Sequence, residues 1–389
     1  MRLLVITSYP EDNLTHGKKT VGVASYTKNT IKAIQKLNSK VQVTIWSESN
    51  KTWQRNSLSS LFKLSLKLTK SNHQHLFLPH EFNMFGSSKT IIFFPIILLI
   101  NKLKNKPSTL VLHQVVTSFK HIAQHANIPK PFIPVVNMLS KLYYSVIIKL
   151  STSTIVFEEF LKQRLPKNLH KKITVIPHAV ENFKTSQSSF NNSNQFNLLT
   201  FGYLAHYKGI DWLIKSFKNY LETHPNKNLH LVIAGGPNPN HLNKPHYQKY
   251  LKKINQISQH PQIILTGFIK EKDIPKAFSR ANLIILPYRI AMSSSGPLSI
   301  ALSFNKPFAI SKSIQKYTRT ADFQKALKTN KLNKKDITFT LSQKSFNSII
   351  NNFLKDKQLS KKVTQFSRDL NKERSWSKIA KLYNTHLNT

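Results

Sequence analysis

A serine-rich turn is the segment of this chain best suited to bind an anion. Ser293, Ser294 and Ser295 precede Gly296, and Pro297 suits the first position of a helix because the missing proline N–H is not needed there. We therefore expect a helix capped at Gly296, whose N-terminal N–H groups and dipole would attract phosphate. The alternative is an ordinary capped turn between a strand and a helix.

Two basic residues stand near similar junctions between strands and helices. Lys208 follows one predicted strand, and Arg289 ends another, with the sequence LIILPYR. A cationic side chain held against a diphosphate stabilises the charge that develops when the diphosphate leaves. Taken alone, Lys208 is better explained as a solvated lysine at the start of a helix.

Three further positions could contact a ligand. In the turn TGFI, Gly267 and Phe268 could offer backbone amides to the edge of a base, although a buried phenylalanine is an equal alternative. Gly22 lies in a loop after the first predicted strand, and His113 ends the apolar run TLVLH. Because ligands of parallel α/β sheets bind at the carboxyl ends of strands, both residues are site candidates. A structural histidine is the alternative for His113.

The elements that would position these residues alternate between strand and helix. Six of the nine glycines fall between residues 196 and 311, each between a β-type run and a helical run. This order predicts parallel sheets covered by helices. Helices are expected at 26–37 and 134–150, and the polar segment 181–197 is the predicted linker. The predicted strands are 3–7, 41–46, 109–113, 154–157, 173–176, 198–201, 229–234, 263–266, 283–286 and 307–310.

Composition restricts the classes of protein that this chain can represent. Its 389 residues, 40% of them hydrophobic, are enough for two domains with real cores. The absence of cysteine excludes disulfides and thiolate metal sites and favours a reducing compartment. A net charge of +42 favours an anionic partner, which could be lipid, nucleic acid or a polyanionic sugar.

Two segments of the first half suggest contact with a membrane. The segment 51–70 mixes Leu and Phe with basic residues and has no acid, and 89–106 contains ten apolar residues flanked by lysines. This combination is typical of an interfacial anchor on an anionic bilayer. The alternative is that 91–100 is a core helix, and ten residues are too few to span a bilayer, which needs about 20.

Taken together, the motifs resemble family 4 of the retaining, nucleotide-sugar-dependent glycosyltransferases, which have the GT-B fold. The resemblance covers nearly the whole chain and is strongest over 196–311. It implies two Rossmann-like, doubly wound domains facing a cleft, at 1–180 and 181–365, with a C-terminal helix at 366–389 packing back on the first domain. The motifs are TVGVASYTKN, TLVLHQ, VIPHAV, FGYLAHYKGIDWLIKSF, LVIAGGP, ILTGFI, ANLIILPYR and KERSWSKIAKLYNTHL.

The resemblance also implies residue roles. His113, Lys208 and Arg289 would be catalytic, with His113 at the point of sugar transfer and Lys208 on the diphosphate of the donor. The implied reaction moves a hexose with retention and needs no metal or other cofactor. The residues that would bind the donor are Gly22, Tyr203, Lys208, Gly267, Phe268, Ile269, Arg289, Ser293, Ser294, Ser295 and Gly296.

The chain departs from the family pattern at three positions. Tyr203 stands where the family commonly has an arginine. Met292 and Ile300 stand where it has two glutamates, and neither can hydrogen-bond a ribose or sugar hydroxyl. Arg289 could supply the lost polarity.

We therefore predict a glycosyltransferase that uses a nucleotide-diphosphate sugar and a glycan or glycolipid acceptor. It would serve cell-envelope glycan synthesis as a cytoplasmic protein, peripheral at the inner face of an anionic membrane. The first alternative is a degenerate GT-B protein that binds a glycan or partner without catalysis. The second is a nucleic-acid-binding protein, which only the charge favours, and no nucleic acid partner is expected.

Overall fold

The computed structural model describes residues 1–9, 22–82, 84–86, 88–120, 128–180, 183, 195–291 and 293–387. The chain divides into two compact units. Unit 1 comprises Met1–His178, Met292–Ser294 and Ser375–Thr389, and unit 2 comprises Ala179–Ala291 and Ser295–Arg374. Each unit holds one six-stranded parallel sheet.

The sheet of unit 1 has the strand order β2-β1-β3-β4-β5-β6. Its central strands are buried, as expected of a parallel sheet covered on both faces, whereas the edge strand Gln42–Trp46 is partly exposed. The strands are β1 (Arg2–Ile6), β2 (Gln42–Trp46), β3 (His75–His80), β4 (Ser108–Leu112), β5 (Ser153–Val156) and β6 (Ile173–Val175). The helices are α1 (Gly22–Leu37), α2 (Leu58–Lys70), α3 (Phe93–Leu103), α4 (Ile133–Leu150) and α5 (Glu159–Lys162).

The sheet of unit 2 has the order β12-β11-β10-β7-β8-β9. The strands are β7 (Phe196–Phe201), β8 (Leu229–Ala234), β9 (Ile263–Leu265), β10 (Leu283–Leu286), β11 (Phe308–Ser311) and β12 (Thr338–Phe339). The helices are α6 (Ile210–Thr223), α7 (Pro245–Ile257), α8 (Ile274–Ser279), α9 (Gly296–Ser303), α10 (Ala321–Thr329), α11 (Gln343–Lys355) and α12 (Lys357–Glu373). In this sheet β7 and β10 are neighbours, and the chain runs from β7 toward one edge and from β10 toward the other.

The last helix, α13 (Trp376–Leu387), belongs to unit 1. Trp376 lies 5.1 Å from Tyr26 of α1, measured between ring centroids. The hydroxyl of Thr109 in β4 donates to the carbonyl of His386. Residues 366–373 are part of helix α12, which belongs to unit 2, and α13 begins at Trp376.

Two strands were not predicted from the sequence. Strand β3 reads HLFLPH, and Pro79, which cannot donate to a ladder, argues against a strand. It is nevertheless buried throughout, and Pro79 pairs with Val111. Strand β12 has two residues, which is too short for a pattern to show. The segment 91–100 lies largely in α3, with Phe94 and Ile97 in the core.

Candidate functional site

The loops that follow β7, β8, β9 and β10 meet at one edge of the sheet of unit 2. Between β7 and β10 the strand order reverses, and ligands of open α/β sheets bind at such a switch point. The backbone of Gly202 donates to Ala234, and that of Leu204 to Gly236. A Cβ on Gly235 would lie 2.0 Å from the carbonyl oxygen of Gly202. Gly235 therefore permits close contact between two loops.

Lys208 ends a short 3-10 turn (His206–Lys208) after β7. The turn closes on Gly209, whose φ of +69° is left-handed and whose Cβ, if present, would meet the carbonyl of Pro287 at 2.1 Å. This geometry turns the lysine inward, and only 7% of it is exposed. Its Nζ lies 5.9 Å from the ring centroid of Tyr288.

The ammonium of Lys208 has no acceptor or carboxylate partner among the residues that the structure describes. Burial lowers the pKa of Lys208 to about 8, because desolvation penalises the charged form. A buried, uncompensated cation is costly. It is therefore the group in unit 2 with the most to gain from a bound anion.

The unpaired ammonium lies close to the first turn of α9. A Cβ on Gly202 would lie 2.5 Å from Lys208 Nζ and 3.6 Å from Pro297 Cγ. The ammonium and the proline thus flank the same glycine. A side chain at position 202 would displace the ammonium from this place.

The cap of α9 differs from the prediction. The N-cap is Ser295, whose hydroxyl accepts from the N–H of Leu298 at 3.3 Å, so the prediction of Gly296 as N-cap is wrong. Serine caps better than glycine because its oxygen satisfies one of the free N–H groups. Gly296 becomes the first helical residue, followed by Pro297.

This cap leaves few donors at the start of α9. Pro297 has no N–H, and that of Leu298 is bonded to Ser295. The N–H of Gly296 has no acceptor within the described part of the chain. Apart from its chain neighbours and the backbone of its own helix, no atom of the described residues lies within 4 Å of the place that a Cβ on Gly296 would take, so the space beside this residue is open. A phosphate could approach the helix there.

Ser293 and Ser294 belong to a different part of the molecule from Ser295. Ser293 forms an antiparallel bridge with Gln114, next to His113, and its hydroxyl donates to the carbonyl of Ser294 at 3.1 Å. Both serines are grouped with unit 1. Their role as phosphate ligands stays a prediction.

Arg289 is already paired with a carboxylate. Its guanidinium donates to Asp211 at 2.8 Å and to the carbonyl of His206, and Lys253 holds the other oxygen of Asp211 at 3.1 Å. Burial opposes ionisation of Asp211, but both cations hold its pKa below the usual value. The backbone N–H of Arg289 also donates to Tyr207. Arg289 thus fixes the turn that carries Lys208, while its own role on a diphosphate stays a prediction.

The predicted base-binding turn is open to solvent. Gly267 has a φ of +69°, and Phe268 is 69% exposed, so the alternative of a buried phenylalanine is wrong. Ile269 is half-buried, and Tyr203, at the end of β7, is exposed. An exposed aromatic ring at a sheet edge is suited to stack on a base.

In unit 1 the predicted residues lie at the carboxyl ends of its strands. Gly22 is the first residue of α1, and the loop before it lies outside the described residues. The half-buried ring of His113 lies 5.3 Å from Tyr26 and 4.9 Å from Phe157, and its buried Nε2 has no hydrogen-bond partner among the described residues. Desolvation, and then nearby His178, hold the pKa of His113 well below its usual value. The imidazole is therefore neutral.

Of the two positions of the family glutamates, Met292 lies outside the described residues. Ile300 is buried in α9. The sequence pointed to neither Gly202, which contacts the Lys208 ammonium, nor Asp211, which neutralises Arg289. A glycine directly after a strand and an acid in the first turn of the next helix are the signals that could have found them.

Part of the chain that includes this region is similar to a known protein family. Residues 195–320 match the family Glycosyl transferases group 1. The matched segment holds Lys208, Arg289 and the start of α9, and this agrees with the prediction of a glycosyltransferase.

Two relatives are named as a glycosyltransferase and as a synthase. An uncharacterized glycosyltransferase of Bacillus subtilis, YqgM, is 24% identical over 223 residues, which cover 57% of each chain. The mannosylfructose-phosphate synthase of Agrobacterium fabrum is 27% identical over 92 residues, covering 24% of this chain and 20% of that enzyme. The matched segments thus span little more than half of the first relative and a fifth of the second.

Solved structures confirm the fold. Anabaena HepE in complex with UDP superposes with a TM-score of 0.67 at 14% identity, over 100% of both chains. An E. coli trehalose-6-phosphate structure, bound with UDP-2-fluoro glucose, has a TM-score of 0.68 at 9% identity, over 100% of this chain and 99% of the other. The predicted fold class, two Rossmann-like α/β domains of the GT-B type, is therefore confirmed.

Proposed function

We propose that this protein transfers a hexose from a nucleotide-diphosphate sugar to a glycan or lipid-linked acceptor. The observation that carries the proposal is the buried, unpaired ammonium of Lys208 beside the first turn of α9. A diphosphate placed there would neutralise the charge of the Lys208 ammonium, and one of its oxygens would accept a hydrogen bond from the N–H of Gly296. The match to a glycosyltransferase domain over the same residues supports this ligand class.

A uridine nucleotide is the first donor to test. HepE is described in complex with UDP and with UDP-glucose, and this chain shares its fold. In the proposed pose, the base lies by Gly267 and Ile269, where Phe268 can stack on it, and Tyr203 borders the phosphates.

Lys208 would contribute most when the bond between sugar and phosphate breaks. Charge then accumulates on the leaving diphosphate, and a positioned cation in a partly dry site stabilises it. Loss of one such donor costs about 10²–10³ in kcat. Because Lys208 and the N-terminus of α9 supply positive charge, we propose that the reaction needs no metal. His113, which is neutral, would lie beside the reacting sugar, and transfer with retention is the expected outcome.

A second candidate is a GT-B protein that binds a nucleotide or glycan without transferring sugar. The pairing of Arg289 with Asp211 favours it, because this arginine cannot contact a diphosphate freely while it neutralises the carboxylate. The burial of Ile300, at the place of a family glutamate, favours it as well.

A donor assay separates the two candidates. Purified protein is screened by thermal shift against UDP-, GDP- and ADP-sugars, and the donor that stabilises it most is incubated with candidate acceptors. Turnover with release of the nucleoside diphosphate supports the enzyme, and NMR of the product gives the configuration at the anomeric carbon. Turnover unchanged by EDTA supports metal independence. Donor binding with neither hydrolysis nor transfer would favour the second candidate.

A further inference from the structure

One face of unit 1 carries most of the exposed apolar side chains. In the described residues, eighteen large hydrophobic side chains are exposed, and twelve of them lie on or beside α2, α3 and α4. We call these twelve the apolar face. Its members are Leu58, Phe62, Leu66, Ile92, Leu99, Leu103, Phe132, Val135, Met138, Leu139, Leu142 and Val146.

The three helices form one layer on the sheet. The chain moves in the same direction along the sheet from β2 to β3, β4 and β5. Because crossovers between parallel strands are right-handed, α2, α3 and α4 lie on the same side, and α1 lies on the other. Helix α3 packs against both α2 and α4. The exposed side chains of the layer therefore point together, away from the sheet.

Helix α4 carries apolar side chains on its outward side, while its inward side holds polar residues together with Ile147 and Ile148. It turns Met138 and Leu142 outward, while Ser140 and Tyr144 are buried. The Ser140 hydroxyl donates to the carbonyl of Val116 at 2.5 Å, and that of Tyr144 accepts from the N–H of the same residue at 3.1 Å. Hydrogen bonds of the polar residues fix the helix to unit 1, and the described residues of that unit leave the apolar stripe exposed.

The exposed apolar side chains of α4 do not require this helix to span a membrane. Within the described residues, Lys130–Leu150 has the length and composition to cross a membrane. However, Ser140 and Tyr144 on its inward side form hydrogen bonds with Val116, which lies in the loop after β4. The helix therefore lies along the surface of the unit, as an interfacial element does.

Lysines accompany the apolar face, and no acid interrupts it. The three segments 58–70, 88–106 and 130–150 contain no Asp or Glu. Exposed lysines stand between and beside the apolar residues, for example Lys63 next to Phe62, and Lys141 next to Leu142. A second copy of this chain would place these lysines against one another, whereas an anionic surface would neutralise them.

We propose that the layer of α2, α3 and α4 docks on an anionic lipid bilayer. The apolar face would enter the boundary between headgroups and acyl chains, and the lysines would contact lipid phosphates. The protein would then be peripheral, at the cytoplasmic face of a membrane. This inference does not depend on the transferase activity, because it rests on unit 1 alone.

The test is co-sedimentation of the whole chain with vesicles. We expect binding to phosphatidylglycerol vesicles that weakens with salt, and much weaker binding to phosphatidylcholine. The double variant Met138→Asp, Leu142→Asp should lose about tenfold or more in partitioning for each side chain. The matched control is Leu37→Asp, Leu382→Asp, which changes exposed leucines of α1 and α13, outside this layer, and should bind as wild type does.

The contribution of charge has its own variant. Lys63→Gln combined with Lys141→Gln should reduce binding by about fivefold for each lysine, as expected near an anionic surface. Urea unfolding of each variant establishes that it is folded, so a loss of binding is not a loss of structure. Equal pelleting with both lipids, or none with either, overturns the proposal. A stable dimer that the aspartate variant dissociates, together with no vesicle binding, also overturns it in favour of a second copy.

Discussion

Replacement of Lys208 by methionine should stabilise the free protein and weaken donor binding. Burial lowers the pKa of this lysine from 10.5 to about 8. At about 1.4 kcal/mol for each pKa unit, keeping the ammonium charged costs about 3 kcal/mol. Methionine keeps most of the alkyl stem and removes the charge. We therefore expect the free energy of unfolding at pH 7 to rise by up to about 3 kcal/mol.

The size of this stabilisation depends on pH. The pKa of Lys208 is lower in the folded state than in the unfolded state, so the charged lysine destabilises the fold fully below about pH 8. Between pH 8 and 10.5 the folded lysine is neutral while the unfolded one still binds a proton, and the cost is relieved. The advantage of the variant should therefore shrink as pH rises from 8 toward 10.5.

Urea unfolding at pH 7 and pH 10 measures this difference, and thermal shift with UDP measures binding. The wild type should gain about 2.7 kcal/mol at a UDP concentration 100 times its Kd. The variant should lose about tenfold to hundredfold in affinity for UDP, the scale for one hydrogen bond to a charged group. Lys253→Met is the matched control: Lys253 is half exposed and paired with Asp211, so its loss should change stability by less than about 1 kcal/mol. A Lys208 variant that is less stable than wild type and binds UDP equally well would refute the reasoning.

Two further predictions concern unit 1. Truncation after Arg374 removes α13, whose Trp376 packs on Tyr26 in the core, and keeps the ion pair of Arg374 with Asp322 in unit 2, so we expect unit 1 to unfold; a hydrogen-exchange profile in which its strands keep full protection would contradict this. Acid should destabilise unit 1 because burial lowers the pKa of His75 to about 4 and of His80 to about 3. Below about pH 6.5 the unfolded chain binds protons that the folded histidines do not. At pH 5 each histidine should therefore lower the free energy of unfolding by about 2 kcal/mol. Urea unfolding between pH 7 and pH 5 measures this loss. A free energy of unfolding that does not change with pH over that interval would contradict the burial of these two rings.

The order of the elements could be predicted because the strands of a parallel sheet are continuous apolar runs. Strand β10, with the sequence LIIL, is such a run. Strand β3 was missed because its histidines and proline give no such run, and only its place between β1 and β4 buries it. The position of Pro79 in a central strand is a case in which tertiary packing overrides local preference.

The site could be predicted in outline and not in its hydrogen bonds. The serine-rich turn and Lys208 were found from their positions at strand ends. That Ser295 rather than Gly296 caps α9 depends on the backbone at Ser295, whose extended conformation aims its hydroxyl at Leu298. That Arg289 is paired with Asp211 depends on a contact between residues 78 positions apart, which no local pattern reports.

The measurement that tests the central claim most directly is calorimetric titration of UDP into wild type and Gly296→Val. The valine side chain would enter the open space beside the first turn of α9, where no described residue beyond that helix and the chain neighbours of Gly296 lies within 4 Å, so the fold should tolerate it. We predict that the wild type binds one UDP for each chain and that the variant, equally stable in urea, binds none that can be detected. Equal affinity of the two proteins would contradict a diphosphate site at this helix, and a wild type that binds no nucleoside diphosphate would contradict the proposed function itself.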